Sequence, residues 1–121
     1  MSFNIDTRVQ PRNIVEETFS TTDYQIPANT KNGTIFYFNN TGATDHRDLY
    51  LPAASDFKKG EYFTIVNCNS GSYRMHIYVK SGSGDTIFVI DTTFNCLRDD
   101  AHTLVSDGVS NWIRTHDLTL A

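Results

Sequence analysis

The sequence predicts an all-β protein: a compact antiparallel β-sandwich or barrel-like domain preceded by an extended N-terminal arm. Three observations lead there. Short apolar runs rich in Phe, Tyr, Ile and Val are separated by clusters of Asn, Thr, Asp, Ser and Gly, the residues that build turns. Tyr73–Lys80 alternates cleanly, with Met75, Ile77 and Val79 on one face and Arg74, His76, Tyr78 and Lys80 on the other. The last quarter runs as turn, strand, gap and two strands joined at Asp107-Gly108, and it carries the sole tryptophan, Trp112. No segment makes a convincing helix.

Taken in order, residues 1–16 hold Phe3, Ile5, Val9, Ile14 and Val15, interrupted by Arg8, Pro11 and Arg12, with no sustained period. This is the pattern of an extended arm that orders on a partner, because a purely disordered tail rarely carries five large apolar side chains. Residues 17–121 form the single β domain. Thr18–Ile26 is its first strand, closed by Pro27. Thr34–Phe38 is apolar throughout and is expected to be buried on both faces. Asn39–Gly42 is a turn, and Asp48–Leu51 a short strand stopped by Pro52. Ala53–Lys59 is one helical turn or a loop, ended by Gly60. In Glu61–Asn67, Phe63 and Ile65 share one face and Tyr62, Thr64 and Val66 the other. Cys68–Ser72 has hairpin length and leads into Tyr73–Lys80. Ser81–Gly84 breaks the chain again, Asp85–Ile90 is a strand, and Thr103–Asp107 pairs with Asn111–His116 around Gly108. Eight strands are expected in all.

Composition narrows the function. A chain of 121 residues makes one domain. Ten Lys and Arg against fourteen Asp and Glu give a net charge of −4, and the only adjacent basic pair is Lys58-Lys59. A nucleic-acid protein would show a clustered basic footprint. No apolar run reaches membrane-spanning length, and Met1–Asp6 has no secretory pattern, so synthesis in the cytosol is expected. Cys68 and Cys96 suit two reduced thiols, at least one packed as a small hydrophobe. They form a bond only if their strands are neighbours. His46, His76, His102 and His116 lack metal-binding spacing. Asp99, Asp100 and His102 read as a solvated turn, and Asp85 and Asp107 as turn residues that bond the backbone. Ser81–Gly84 lacks the Lys-Ser/Thr of a phosphate loop. No catalytic residue, metal or cofactor is expected, and the chain does not read as an enzyme.

Several fragments fall in a familiar order. They are Tyr24-Gln-Ile26, Phe38-Asn-Asn-Thr-Gly-Ala43, Leu51-Pro-Ala-Ala-Ser55, Lys59-Gly-Glu-Tyr-Phe-Thr-Ile-Val-Asn67, Gly84-Asp-Thr-Ile87, and Leu104-Val-Ser-Asp-Gly108 with Trp112. Together, over residues 18–116, they resemble a β-module that recurs in tailed-bacteriophage virion proteins, including fibres, spikes and head decorations. The resemblance implies a homotrimeric, catalytically inert structural protein, made in the host cytoplasm and displayed on the particle surface, at either head or tail. Two segments depart from the pattern by their charge, Gly42–Asp48 and Phe94–Asp100, and both are candidate exposed loops.

A small head decoration or cement protein, of head-fibre type, is the first expectation. Its partner is then the major capsid protein, and Phe3, Ile5, Arg8, Val9, Arg12 and Ile14 of the arm are the binding residues. The alternative is a tail fibre, spike or baseplate component that binds a host glycan. There Tyr50, Tyr73, Tyr78 and Trp112 would offer stacking faces, although Trp112 suits the core better. A trimer also follows from patterning. Ile35–Phe38 and Ile87–Ile90 are apolar at every position, and a second apolar face needs a cover that an identical subunit supplies.

Overall fold

The computed structural model describes residues 13–18, 23–39, 46–68 and 74–119. They hold ten strands: β1 (Ile14–Thr18), β2 (Tyr24–Gln25), β3 (Thr34–Asn39), β4 (Arg47–Tyr50), β5 (Tyr62–Cys68), β6 (Met75–Tyr78), β7 (Thr86–Ile87), β8 (Thr93–Cys96), β9 (Asp100–Ser106) and β10 (Asn111–Thr119). One 3-10 turn, Ala54–Asp56, sits between β4 and β5, where one helical turn or a loop was expected. The strands form two sheets, one of six in the order β1-β3-β5-β9-β10-β7 and one of four in the order β2-β4-β6-β8.

The all-β expectation holds, but the antiparallel one does not. From β1 to β8 the chain crosses to the other sheet at every step, and each of β3 to β6 returns beside the strand two before it and runs parallel to it. The pairs β1·β3, β3·β5, β2·β4 and β4·β6 all arise in this way. Parallel neighbours need a crossover, and here a strand of the opposite sheet takes the place of the usual helix. The direction reverses only late: β8 runs antiparallel to β6, and β9 to β5. The sole hairpin between consecutive strands among the described residues is β9–β10, as expected. β5 and β6 lie in different sheets, so the segment between them is a corner and not a hairpin loop. Turn-forming residues mark both kinds of reversal equally well, which is why the sequence pattern misplaces it.

The inward faces of both sheets meet in one core. Phe36, Phe38, Phe63, Ile65, Leu104 and Trp112 come from the larger sheet, and Leu49, Met75, Ile77 and Cys96 from the smaller. Trp112 lies edge-on to Phe57 and Phe63 with ring centroids 5.4 and 5.3 Å away, a favoured aromatic geometry. The inward and outward sets expected for β5 and β6 are the observed ones.

Buried polar groups pin the connections. Asp85 accepts a hydrogen bond from the Ala54 amide (2.8 Å), and the Ser106 hydroxyl donates to the Ala54 carbonyl (2.7 Å). These bonds hold the 3-10 turn under the β9–β10 hairpin. Asn67 on β5 donates to the Cys96 carbonyl on β8 (3.0 Å), tying the two sheets together. Asp107 takes the expected turn role: its Oδ1 accepts from the amides of Val109, Ser110 and Asn111 at 2.8–3.0 Å.

Other expectations need correction. Thr18–Ile26 is not one strand: β1 ends at Thr18 in the larger sheet, and β2 belongs to the smaller. β3 is not buried on both faces, since Phe36 and Phe38 are inward while Tyr37 is exposed on the outer side. The strand expected over Asp85–Ile90 stops at Ile87 and turns. Asp100 and His102 are buried and not part of a solvated turn. Asp100 Oδ2 accepts from the Leu97 amide (3.2 Å) and lies 3.7 Å from His102 Nε2. Cys68 and Cys96 are both free thiols, on strands of different sheets.

Candidate interaction surface

The two outer faces of the molecule differ in chemistry. Outer positions of the larger sheet align across its strands by register. Ile35, Thr64, Thr103 and Thr115 form one row, and Tyr62, Val105 and Ile113 another. In a third row Tyr37 is followed by Val66 and Ala101. Ile14 on β1 stands beside Ile35 and is 58% exposed. The Thr64 and Thr103 hydroxyls satisfy one another at 3.0 Å. Glu16 on β1 stands beside Tyr37, and its carboxylate and that of Asp99, in the turn before β9, both act on the Tyr37 phenol. Cys68 hydrogen-bonds Tyr37 and, as the largest cause, raises its phenol above the ordinary value.

The smaller sheet turns a polar face outward. Tyr50 and Tyr78 stack at 5.5 Å, and His46 and His76 at 5.3 Å. His76 Nδ1 is 3.5 Å from the Asp48 carboxylate. Burial, and then the carboxylates of Asp48 and Asp23, raise the Tyr50 phenol. An antiparallel or mixed sheet that meets water on one side carries such residues. The larger sheet does not.

At the β7 edge of the larger sheet the chain makes a strained apolar turn. Phe88 and Val89 have φ of 53° and 71°, the pattern of a type I′ turn, whose usual residues are Asn and Gly. A bulky or β-branched residue held there costs about 1–3 kcal/mol. The surroundings over-determine it. Asn111 Oδ1 accepts from the Val89 amide (2.9 Å) and the Thr86 hydroxyl (3.1 Å), while the Phe88 amide donates to the Trp112 carbonyl (2.9 Å). The turn presents Phe88, Val89 and Ile90 to solvent at 47%, 72% and 83% exposure. The sequence offers no turn signal here, so the apolar run reads as more strand.

At the opposite edge, the space between β1 and β2 opens as a groove of about 260 Å³. Val15, Tyr24 and Phe36 give it an apolar floor, and Thr30 and Lys31 stand at its rim. A second groove of about 250 Å³ lies among Ala53, Lys80, Ser83 and Val109 and has a more polar lining.

Of the arm residues expected to bind a partner, Ile14 belongs to β1 and is exposed on the outer face. Phe3, Ile5, Arg8, Val9 and Arg12 lie outside the described residues, as does Tyr73. The division between residues 16 and 17 falls inside β1. Trp112 is a core residue with no exposed stacking face. Among the described residues no three His, Cys, Asp or Glu side chains are grouped to hold a metal ion, and no helix is long and apolar enough to cross a membrane. No family model matches this chain, and no curated protein matches it.

Proposed function

We propose that this chain is a non-enzymatic structural protein of a tailed-bacteriophage particle, a homotrimeric decoration or cement protein that binds and stabilises the assembled capsid shell. The observation that carries this reading is the outer face of the six-stranded sheet, whose central rows are Thr, Tyr, Val and Ile, with carboxylates only near Tyr37 among the described side chains. Two copies with a net charge of −4 repel, so self-association requires a contact surface nearly free of carboxylates. At ~4.8 Å per strand and ~3.3 Å per residue, six strands offer roughly 500 Å² of plane. Edges and loops extend that towards the ~800 Å² per partner of a stable interface. In this reading the two sheets form a sandwich whose larger face looks onto the threefold axis, and the polar smaller sheet faces solvent.

The resemblance over residues 18–116 supplies the particle. The arm ahead of β1, with its mixture of apolar and arginine residues, supplies the contact to the major capsid protein. Three arms on one trimer raise avidity well beyond that of a single arm. Binding only to the assembled shell stabilises that shell by mass action. The Tyr50–Tyr78 stack beside Asp48 and His76 favours a second reading, a tail fibre or baseplate component whose polar face binds a host glycan.

The test is copy number in purified particles, by quantitative mass spectrometry against the major capsid protein. A count on the scale of the capsid subunits supports decoration. A count near that of a tail component moves the chain to the fibre reading, and absence from the particle overturns both. A chain lacking residues 1–12, which keeps β1, is expected to remain a folded trimer and to lose its place on the capsid. Unchanged occupancy would sink the role of the arm.

A further inference from the structure

We infer that the apolar turn Phe88–Ile90 of one copy seats in the groove between β1 and β2 of the next copy, and that this knob and socket closes the trimer. The inference rests on the self-association proposed above and adds its specificity element. Knob and socket lie at opposite edges of one sheet, since β7 ends the strand order on one side and β1 on the other. An interface joining unlike edges is head-to-tail, and three such contacts close a ring when each turns the chain by a third of a circle. Three sheets facing a common axis place the β7 edge of each beside the β1 edge of its neighbour.

Size and chemistry agree. A cavity of ~150 Å³ lined by apolar side chains accommodates a benzene ring, so a groove of about 260 Å³ has room for the turn's leading side chains. Its floor of Val15, Tyr24 and Phe36 is apolar, as are all three residues of the turn. Charge completes the match: exposed Asp91 follows the turn, and exposed Lys31 stands at the rim of the groove. The strain is then intelligible. Asn and Gly would make the same turn at lower energy but would leave nothing to insert, and backbone strain persists where function requires it.

The replacement Phe88→Asn with Val89→Gly tests this without threatening the fold, because it installs the residues the turn geometry prefers. Sedimentation equilibrium on the full chain is the readout, with far-UV circular dichroism to confirm native structure. The wild type is expected to be a trimer, and the double variant a natively folded chain whose dissociation constant rises by at least about 100-fold. Lys31→Glu is expected to weaken the trimer by roughly 2–5-fold, and adding Asp91→Lys to restore it. A wild-type trimer whose dissociation constant is unmoved by the turn replacement overturns the knob and leaves the trimer standing. A wild type that is monomeric at every concentration overturns the trimer itself.

Discussion

Replacing Trp112 with alanine and, separately, with phenylalanine separates a packing role from a ligand role. The indole is fully buried, against Phe57 on one side and Phe63 on the other. A buried tryptophan removes about 150–250 Å² from water, which at ~25 cal/mol per Å² amounts to roughly 4–6 kcal/mol. The unfolded chain already hides part of that surface and alanine keeps a methyl group, so a loss of ~3–5 kcal/mol is expected. Against the 5–15 kcal/mol typical of folded domains, that is a large share of the total.

Phenylalanine keeps a ring in the same aromatic cluster. It also removes an indole N–H for which no acceptor lies within reach among the described residues. An unpaired buried donor costs about 1–3 kcal/mol. Its removal offsets part of the lost volume, so Trp112→Phe is expected to cost less than ~1.5 kcal/mol. Urea unfolding followed by far-UV circular dichroism measures both variants, because removing the only tryptophan also removes the fluorescence probe. An alanine variant as stable as wild type would refute the packing argument. A phenylalanine variant as damaged as the alanine one would show that the indole nitrogen, and not the ring, matters.

Three further predictions concern the last hairpin and the thiols. The Asp107 carboxyl is held below its ordinary value of 3.8 by backbone amides, that of Asn111 first. Its stabilisation is therefore present above the unfolded-state value and lost as pH falls through the folded one. Asp107→Ala should lower the melting temperature at neutral pH, with the gap to wild type closing in acid; a gap that does not change with pH would count against the mechanism. Gly108 has φ of 81°, and a Cβ there would meet the Lys59 amide nitrogen at 3.0 Å, so Gly108→Ala should destabilise by ~1–2 kcal/mol in urea unfolding. Cys96 is buried and burial pushes its thiol far up, whereas Cys68 is half-buried. A thiol-reactive dye should therefore label Cys68 first in the native protein and Cys96 only on unfolding.

The local grammar of the fold was legible in the chain. Period-two alternation assigned the inward faces of β5 and β6, because successive side chains on a strand must point to opposite sides. The Asp107-Gly108 pair located the last hairpin through its bonding of the backbone. Trp112 read as core because the burial of so large a side chain is worth several kcal/mol. Tertiary structure decided what those rules leave open. Whether a turn returns the chain to its own sheet or hands it to the other depends on which face finds a partner across the core. That choice made most of the early pairings parallel. Ile87–Ile90 looked like strand because four apolar residues fit one. The side chain of Asn111, 22 positions beyond Val89, captures the Val89 amide and bends the run outward. The contrast between a nearly uncharged outer sheet face and a polar one appears only once register aligns residues from distant strands, since neither row exists in any single segment of sequence.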